Sequence, residues 1–325
     1  MTFITRRHAL ALGSGALLLP SVSGAEEAWP SGPVTFVVGY AAGGGADINA
    51  RELAQLMSPL IGQQVVVENK GGAAGSVGAR IVAGAKPDGQ TLFYAVGTNV
   101  IINPWVQKGM IDTLATLAPI CQTTAYQYVL AVNRKVPANS VAELVALAKK
   151  EPDKLTYSSS GVGGNNHLAG ALFADAAGIK ITHVPYKGTG PALADVISGV
   201  ITMNFSSLPP AVGQVKAGNL KALAVTGEKR IKSLPDVPTL KEQGIDVVVN
   251  GWHGLFAPGK TPAAILDKIE KETKAAMKDP KWEAALAKDG LEQPPERTRA
   301  QFAKFVADEH AFWGNKLKEL KVEME

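Results

Sequence analysis

Three short segments carry residue types suited to holding a small anion. They are Tyr40-Ala41-Ala42-Gly43-Gly44-Gly45-Ala46-Asp47, Ser158-Ser159-Ser160-Gly161-Val162-Gly163-Gly164-Asn165-Asn166-His167 and Pro185-Tyr186-Lys187-Gly188-Thr189-Gly190-Pro191. Each follows an apolar run and opens an amphipathic one, so each reads as a strand-to-helix junction. Glycine lets another group approach the backbone closely. The first N–H groups of the helix that follows have no partner within it, and the helix dipole favours negative charge at that end. A carboxylate or a phosphate is the natural guest. Ordinary capping by Asp47, Asn166 and Pro191 would account for any one of these loops without a ligand. Three such loops in one chain favour a shared purpose.

The candidate contacts in the first loop are Tyr40, Ala41, Gly44, Gly45, Ala46 and Asp47. In the second they are Ser159, Ser160, Gly164, Asn165 and His167, and in the third Tyr186 and Lys187. Asp47 either meets a ligand hydroxyl or amine or serves only as a helix cap. His167 either donates to a carboxylate or orders its loop. Lys187, the one lysine or arginine in the three segments, either attracts the anion or stays solvated on the rim. Tyr40 and Tyr186 each offer an apolar face with a polar tip, suited to walling a small organic acid. Arg51, one turn into the first helix, is expected to pair with Glu68.

The patterns of catalysis are sparse. Gly254-Leu255-Phe256-Ala257-Pro258-Gly259-Lys260-Thr261 matches the Walker A pattern letter for letter, which makes a nucleotide-binding enzyme a rival reading. Against it, Pro258 lacks an N–H donor, Pro262 follows at once, and no apolar strand ending in Asp is placed to hold magnesium. There is no Gly-x-Ser-x-Gly elbow and no His-Glu-x-x-His helix. Asn166 stands where a dinucleotide fingerprint beginning at Gly161 wants glycine. His8, His167, His183, His253 and His310 are scattered, and His183 reads as core or rim. The lone Cys121 reads as a small buried hydrophobe with no base beside it. The expectation is therefore no catalytic residue, no metal and no cofactor. A secreted hydrolase stays as a second alternative, to be exposed by turnover of ester or amide substrates.

The elements that must position these loops alternate between strand and helix, which argues for α/β layers. Strands are expected at Val34–Val38, Val65–Glu68, Thr91–Val96, Tyr126–Val132, Thr156–Ser158, Ile181–Val184, Ile201–Phe205 and Leu220–Val225. Helices are expected at Asp47–Leu60, Val77–Ala85, Val141–Lys150, His167–Ala177 and Pro191–Ser198, with a mainly helical stretch from Pro262 onward. Leu53, Leu56, Met57 and Leu60 recur at helical spacing on one face. In an open α/β sheet, ligands bind at the carboxyl ends of strands, where the three loops lie. No long linker divides the chain, so two lobes sharing strands are expected, with crossings near Tyr128 and Gly227.

A chain of 325 residues suffices for two such lobes. At its start, Arg6 and Arg7 precede an apolar stretch from Ala9 to Leu19 and a small-residue site at Ser23-Gly24-Ala25, the pattern of a cleaved export signal. Thr5-Arg6-Arg7 also resembles a twin-arginine signal, although Ala9 stands where that pattern prefers Phe. Removing residues 1–25 takes Arg6 and Arg7 from 33 basic residues and nothing from 29 acidic ones, a net of +2. That bias is too small to argue for nucleic acid or a membrane surface.

The ordered motifs also resemble a known family. Gly43-Gly44-Gly45-Ala46-Asp47-Ile48-Asn49-Ala50-Arg51, Val67-Glu68-Asn69-Lys70 with Gly75 and Gly78, and Ala85-Lys86-Pro87-Asp88-Gly89 come first. Ser159-Ser160-Gly161 with His167-Leu168-Ala169, Val184-Pro185-Tyr186-Lys187-Gly188 and Leu234-Pro235-Asp236-Val237-Pro238-Thr239 follow. Over nearly the whole chain beyond the export signal, the sequence is similar to the Bug family, the solute-binding receptors of tripartite tricarboxylate transporters. The resemblance implies a type II periplasmic-binding-protein-like fold, two α/β lobes of mixed sheet and helices with a ligand cleft between them. The lobes would be residues 26–127 plus 228–325, and residues 128–227. It implies a periplasmic receptor, a ligand bearing at least one carboxylate held largely by backbone N–H groups and water, and membrane transporter subunits as partners. Gly45 stands where the family usually has Pro, and Gly164 where Ser or Thr is usual, with Asn165 available for the missing hydroxyl contact.

Overall fold

The computed structural model describes residues 29–107 and 109–319; the segment read as an export signal lies outside them. The chain opens with strand β1 (Val34–Val38), whose residues are nearly all buried, and helix α1 (Gly45–Ile61). Helix α1 ends where Gly62 takes a left-handed conformation at φ 68°, the geometry a glycine adopts without Cβ strain. Leu53 and Met57 of α1 are fully buried, each contributing roughly 1.5–3 kcal/mol of burial. Leu56 is partly buried, and Leu60 at the end of the helix is largely exposed, so the apolar stripe is shorter than its spacing suggests.

Strand β2 (Val65–Asn69), helix α2 (Ser76–Ala83) and strand β3 (Thr91–Val96) follow, then three short helices, α3 (Gly97–Ile101), α4 (Asn103–Val106) and α5 (Thr113–Thr116). Strand β4 (Leu117–Asn133) is the longest, and α6 (Val141–Lys150), β5 (Thr156–Ser159), α7 (Asn165–Ala177), β6 (Thr182–Pro185) and α8 (Thr189–Ser198) come after it. The chain continues with β7 (Met203–Ser207), α9 (Leu208–Lys216), β8 (Leu220–Val225) and β9 (Asn250–Pro258). It closes with α10 (Ala263–Met277), α11 (Pro280–Asp289) and α12 (Arg299–Glu319).

The strands form one mixed sheet in the order β2-β1-β3-β9-β4-β7-β5-β6, with β8 also paired to β4. Pairing is parallel for β1–β2, β1–β3, β5–β6 and β5–β7, and antiparallel wherever β4 or β9 takes part. Strand β4 joins the two halves. It pairs with β9 through Gln127 and with β7 from Tyr128, where its partner is Ser207.

Several elements depart from the sequence-based expectation. Strand β4 begins nine residues earlier than Tyr126, because register shifts around Cys121 and Thr124 break the alternation that marks a strand. Strand β9 is buried along almost its whole length, so it too lacks an alternating pattern. Helix α9 begins at Leu208-Pro209-Pro210, which looks like a turn in sequence, yet proline is tolerated in the first turn of a helix. Strand β7 also runs two residues past Phe205, and this makes Ser207 the cap of α9.

The Walker-like octapeptide is no phosphate cradle. Gly254–Pro258 lie within β9, with Leu255, Phe256 and Ala257 buried in the sheet. Gly254 pairs with Ala95 on one side and Gln122 on the other. A backbone engaged in a ladder on both sides cannot curl around a phosphate.

Candidate functional site

The helices that follow β1, β5, β6 and β7 all point their N-termini at one cavity. Gly44 caps α1, Gly164 caps α7, Gly188 caps α8 and Ser207 caps α9. In α1 the first intrahelical bond runs from Ile48 N–H to Gly44 O at 3.0 Å, so the N–H groups of Gly45, Ala46 and Asp47 have no partner within the helix. In α7 the first such bond is Leu168 N–H to Gly164 O, 3.0 Å. The cavity is narrow, with a volume of about 30 Å³ open to the centres of water molecules. Of the expected contacts, Tyr40, Gly44, Gly45, Ala46, Ser160 and Asn165 line it. So do Val96, Thr98, Tyr126, Tyr128, Asn166, Thr189, Ser207 and His253, which the sequence did not single out as contacts.

No lysine, arginine, aspartate or glutamate is among these lining residues. Positive potential comes instead from the converging helix ends and from neutral donors. Ser207 makes no capping bond to α9, and its hydroxyl has no partner among the described residues. The buried Thr98 hydroxyl is unpartnered as well. Buried polar atoms are normally satisfied, so two unpaired hydroxyls among the lining residues suit a polar guest.

The remaining polar groups are wired together. Tyr40 Oη donates to Ala74 O at 2.8 Å and accepts from Asn99 Nδ2 at 2.7 Å. Asn165 Nδ2 donates to Tyr128 Oη at 2.7 Å, and Tyr128 Oη donates onward to Tyr126 Oη at 3.3 Å. Asn166 Oδ1 accepts from Ser160 N at 3.1 Å and from Ser160 Oγ at 2.9 Å, which fixes the second loop. Burial raises the phenols of Tyr40 and Tyr126 above their ordinary range, so both stay protonated.

Asp47 does not face the cavity and is not the helix cap. One of its oxygens accepts from Gly43 N–H at 2.9 Å and the other from Arg51 Nε at 3.0 Å. Burial acts to raise its pKa, but Arg51 and the Gly43 N–H together hold it below the usual carboxylate value. Arg51 also reaches Asn69 Oδ1 at 3.0 Å, and Asn69 Nδ2 donates to Tyr40 O at 3.0 Å. Arg51 therefore does not pair with Glu68, which Lys70 takes at 3.0 Å. This chain of contacts shapes the Tyr40–Gly45 loop from behind.

The other expected contacts sit around the cavity rather than in it. Ala41, Ser159, Gly164, His167, Tyr186 and Lys187 are not among its lining residues. His167 Nδ1 accepts from Gly163 N–H at 3.2 Å, so the ring orders its loop. Burial brings it down to about 4, and it stacks on His183 with ring centroids 4.1 Å apart. The Tyr186 hydroxyl is turned onto Asp195. The Lys187 side chain is exposed, and its carbonyl accepts from Ala41 N–H at 3.1 Å. Tyr126 and Tyr128, two residues apart on β4, were findable from period-two spacing. Ser207 and His253 had no comparable local signal.

One contact has the composition of a nucleophile and its base. Ser159 Oγ lies 2.6 Å from His183 Nε2. Ser159 is fully buried, and its oxygen is engaged by Gly161 O and Gly161 N, both at 3.1 Å. Burial, and then His167, bring His183 down to about 3, a weak base. Among the described residues no group of three or more histidines, cysteines or acids is placed to hold a metal ion. Cys121 is buried, with its thiol pushed up to about 12 by that burial.

Comparison with known proteins agrees with this geometry. Residues 49–322 match the model of the tripartite tricarboxylate transporter family receptor. The periplasmic binding protein BugD superposes with a TM-score of 0.88 at 33% identity, over 91% of this chain and 100% of that one. An R. palustris protein solved with adipate gives 0.87 at 30% identity, over 91% and 100%. MatC from Rhodopseudomonas palustris with bound malate gives 0.84 at 28% identity, over 88% and 99%. The fold is thus the α/β architecture, a mixed sheet with helices, of periplasmic binding proteins of this type.

Proposed function

From the premise that this chain belongs to the tripartite tricarboxylate transporter receptor family, we propose that it captures a small organic acid in the cavity between two lobes. The lobes would be residues 26–127 with 228–325, and residues 128–227, and the receptor would hand its ligand to membrane transporter subunits. The observation that carries this reading is the convergence of four helix N-termini on a cavity with no charged side chain in its lining. A carboxylate there gains backbone N–H donors, the dipoles of those helices and the free Ser207 hydroxyl. The adipate and malate bound by two relatives are acids of this class.

Gly44 supplies the test. A Cβ at this position would find its nearest neighbours at 3.7–3.8 Å, so a valine fits the backbone while its methyl groups intrude on the cavity. Gly44→Val is expected to abolish calorimetric binding of malate and adipate while the protein keeps its thermal midpoint. Undiminished affinity in this variant would remove the first loop from the site. Export is the companion claim, resting on Arg6, Arg7 and Ser23-Gly24-Ala25. Sequencing of protein from the periplasm is expected to start at Glu26, and a main cytoplasmic species retaining Met1 would contradict it.

The Ser159–His183 contact favours a hydrolase on composition alone. Its burial outside the cavity argues for a structural role. Unchanged ligand after long incubation, read by mass spectrometry, is the expected result, and turnover of an ester or amide would reverse it.

A further inference from the structure

The segment between β2 and α2, Gly71-Gly72-Ala73-Ala74-Gly75, lies as a strap along the boundary between the two proposed lobes. Ala73 and Ala74 take left-handed backbone, at φ 44° and 47°, which alanine disfavours because its Cβ crowds the following carbonyl. Such a conformation persists only where its neighbours over-determine it. Ala74 O accepts from Tyr40 Oη at 2.8 Å, Asn99 Nδ2 at 2.7 Å and Asn103 Nδ2 at 2.9 Å. Ala73 O accepts from Gln107 Nε2 at 3.0 Å. The strap and the helix behind it meet both loops of the other lobe. A Cβ on Gly71 would lie 3.1 Å from Lys187 O, and one on Gly161 3.0 Å from Ala74 N. One on Gly163 would lie 2.5 Å from a methyl of Val106 in α4.

Gln107, just past α4, joins these parts through one carboxamide. Its oxygen accepts from Ser76 Oγ, which turns the nitrogen edge toward two carbonyls. One amide proton goes to Ala73 O, and Nε2 also reaches Val162 O at 3.2 Å. Ala73 and Ser76 belong to residues 26–127 and Val162 to residues 128–227, so the fork spans the lobes. None of Gln107, Ala73 and Val162 is among the lining residues of the cavity. Resting on the two-lobed carboxylate reading above, we propose that Gln107 is a positioning residue, a latch that clamps the 161–163 loop to the strap when the lobes close and so sets how long the ligand stays. Its bonds to Ala73 and Ser76 lie within one lobe and survive opening, whereas its bond to Val162 exists only when the lobes are closed. Losing that bond raises the free energy of the closed state and leaves the open state as it was. The ligand enters the open cleft and leaves after opening, so the change falls on dissociation and not on association.

The test is stopped-flow measurement of malate and adipate association and dissociation with the exported protein. Gln107→Met keeps the length of the side chain and removes both donors. It should speed dissociation about fivefold, the effect of one net hydrogen bond. Association should stay within about twofold of the unaltered protein. Ser76→Ala removes the hydroxyl that orients the amide and keeps Gln107 itself. It should speed dissociation by a smaller factor, and it should add nothing in the Gln107→Met background. Unchanged dissociation in Gln107→Met would overturn the latch, and so would a change confined to association or a Ser76→Ala effect that persists without Gln107. Should Gln107→Met not fold, Ser76→Ala alone decides, and unchanged dissociation there overturns the proposal. Binding of either acid with rates that neither substitution alters would sink the latch and leave the carboxylate reading standing. Failure of both acids to bind the unaltered protein would sink both.

Discussion

Ala41 donates its backbone N–H to the carbonyl of Lys187 over 3.1 Å, tying the loop after β1 to the loop after β6. Those two strands stand near opposite ends of the sheet order. The approach depends on glycine, since a Cβ on Gly190 would lie 2.8 Å from Ala42 O and one on Gly188 2.9 Å from Ala41 N. Gly190→Val should therefore hold the loops apart. Malate affinity is expected to fall more than tenfold, roughly 1.4 kcal/mol or more, and small-angle scattering should show no compaction on adding ligand. Compaction equal to that of the unaltered protein would show that this contact is not what closes the cavity.

Lys187 contributes to that contact through its carbonyl, while its side chain is exposed. The Lys187→Ala substitution should change malate affinity by less than about fivefold, the range of a solvated charge contact. Binding should likewise vary little between low and high salt, because donors from buried backbone are poorly screened. A steep salt dependence would mean that long-range charge, and not the helix ends, holds the acid.

Gly45 and Ser207 both line the cavity, and a Cβ added at Gly45 would sit 2.8 Å from the Ser207 hydroxyl. Gly45→Ala should weaken binding, and Ser207→Gly should weaken it by roughly tenfold through loss of a donor to the carboxylate. Combined, the two should cost less than the sum of the separate effects, since Ser207→Gly removes the clash. A double-mutant cycle reads this directly, and strict additivity would show that the two residues do not meet.

Acid should destabilise the fold in a defined window. Burial lowers His167 to about 4 and is the main cause of the values of about 3 at His183 and His253. An unfolded histidine titrates near 6.5, so between that value and the folded ones the unfolded chain binds more protons and stability rises with pH. Read downward, stability is complete above about pH 6.5 and falls below it, at up to about 1.4 kcal/mol per pH unit for each histidine. Thermal midpoints should drop steadily from pH 6.5 to 5, and His183→Gln should flatten the slope. A midpoint that stays level across this window would show that these rings keep their protons when buried.

Local signals made the architecture legible. Strands β1, β3 and β8 and helix α6 have the bounds their apolar spacing predicts. The glycine loops were legible for the same reason, since a junction between a strand and a helix is written in consecutive residues. Six of the expected contacts, from Tyr40 to Asn165, do line the cavity. Asp47 and His167 were visible as loop residues, but which way each side chain turns depends on Arg51 and on Gly163.

The sequence by itself thus determined the alternating α/β order, the anion-suited helix starts and the family. Only the tertiary structure decided which of those helix starts share one cavity and what forms its far wall. Ser207 enters the site because β7 pairs with β4 at Tyr128, and His253 enters because β9 lies between β3 and β4. Both pairings join residues more than seventy positions apart, and β9, buried on both faces, carries no periodic pattern to announce its neighbours. Strand register is set by such long-range packing, and a cavity wall assembled from register partners is invisible until the sheet is formed.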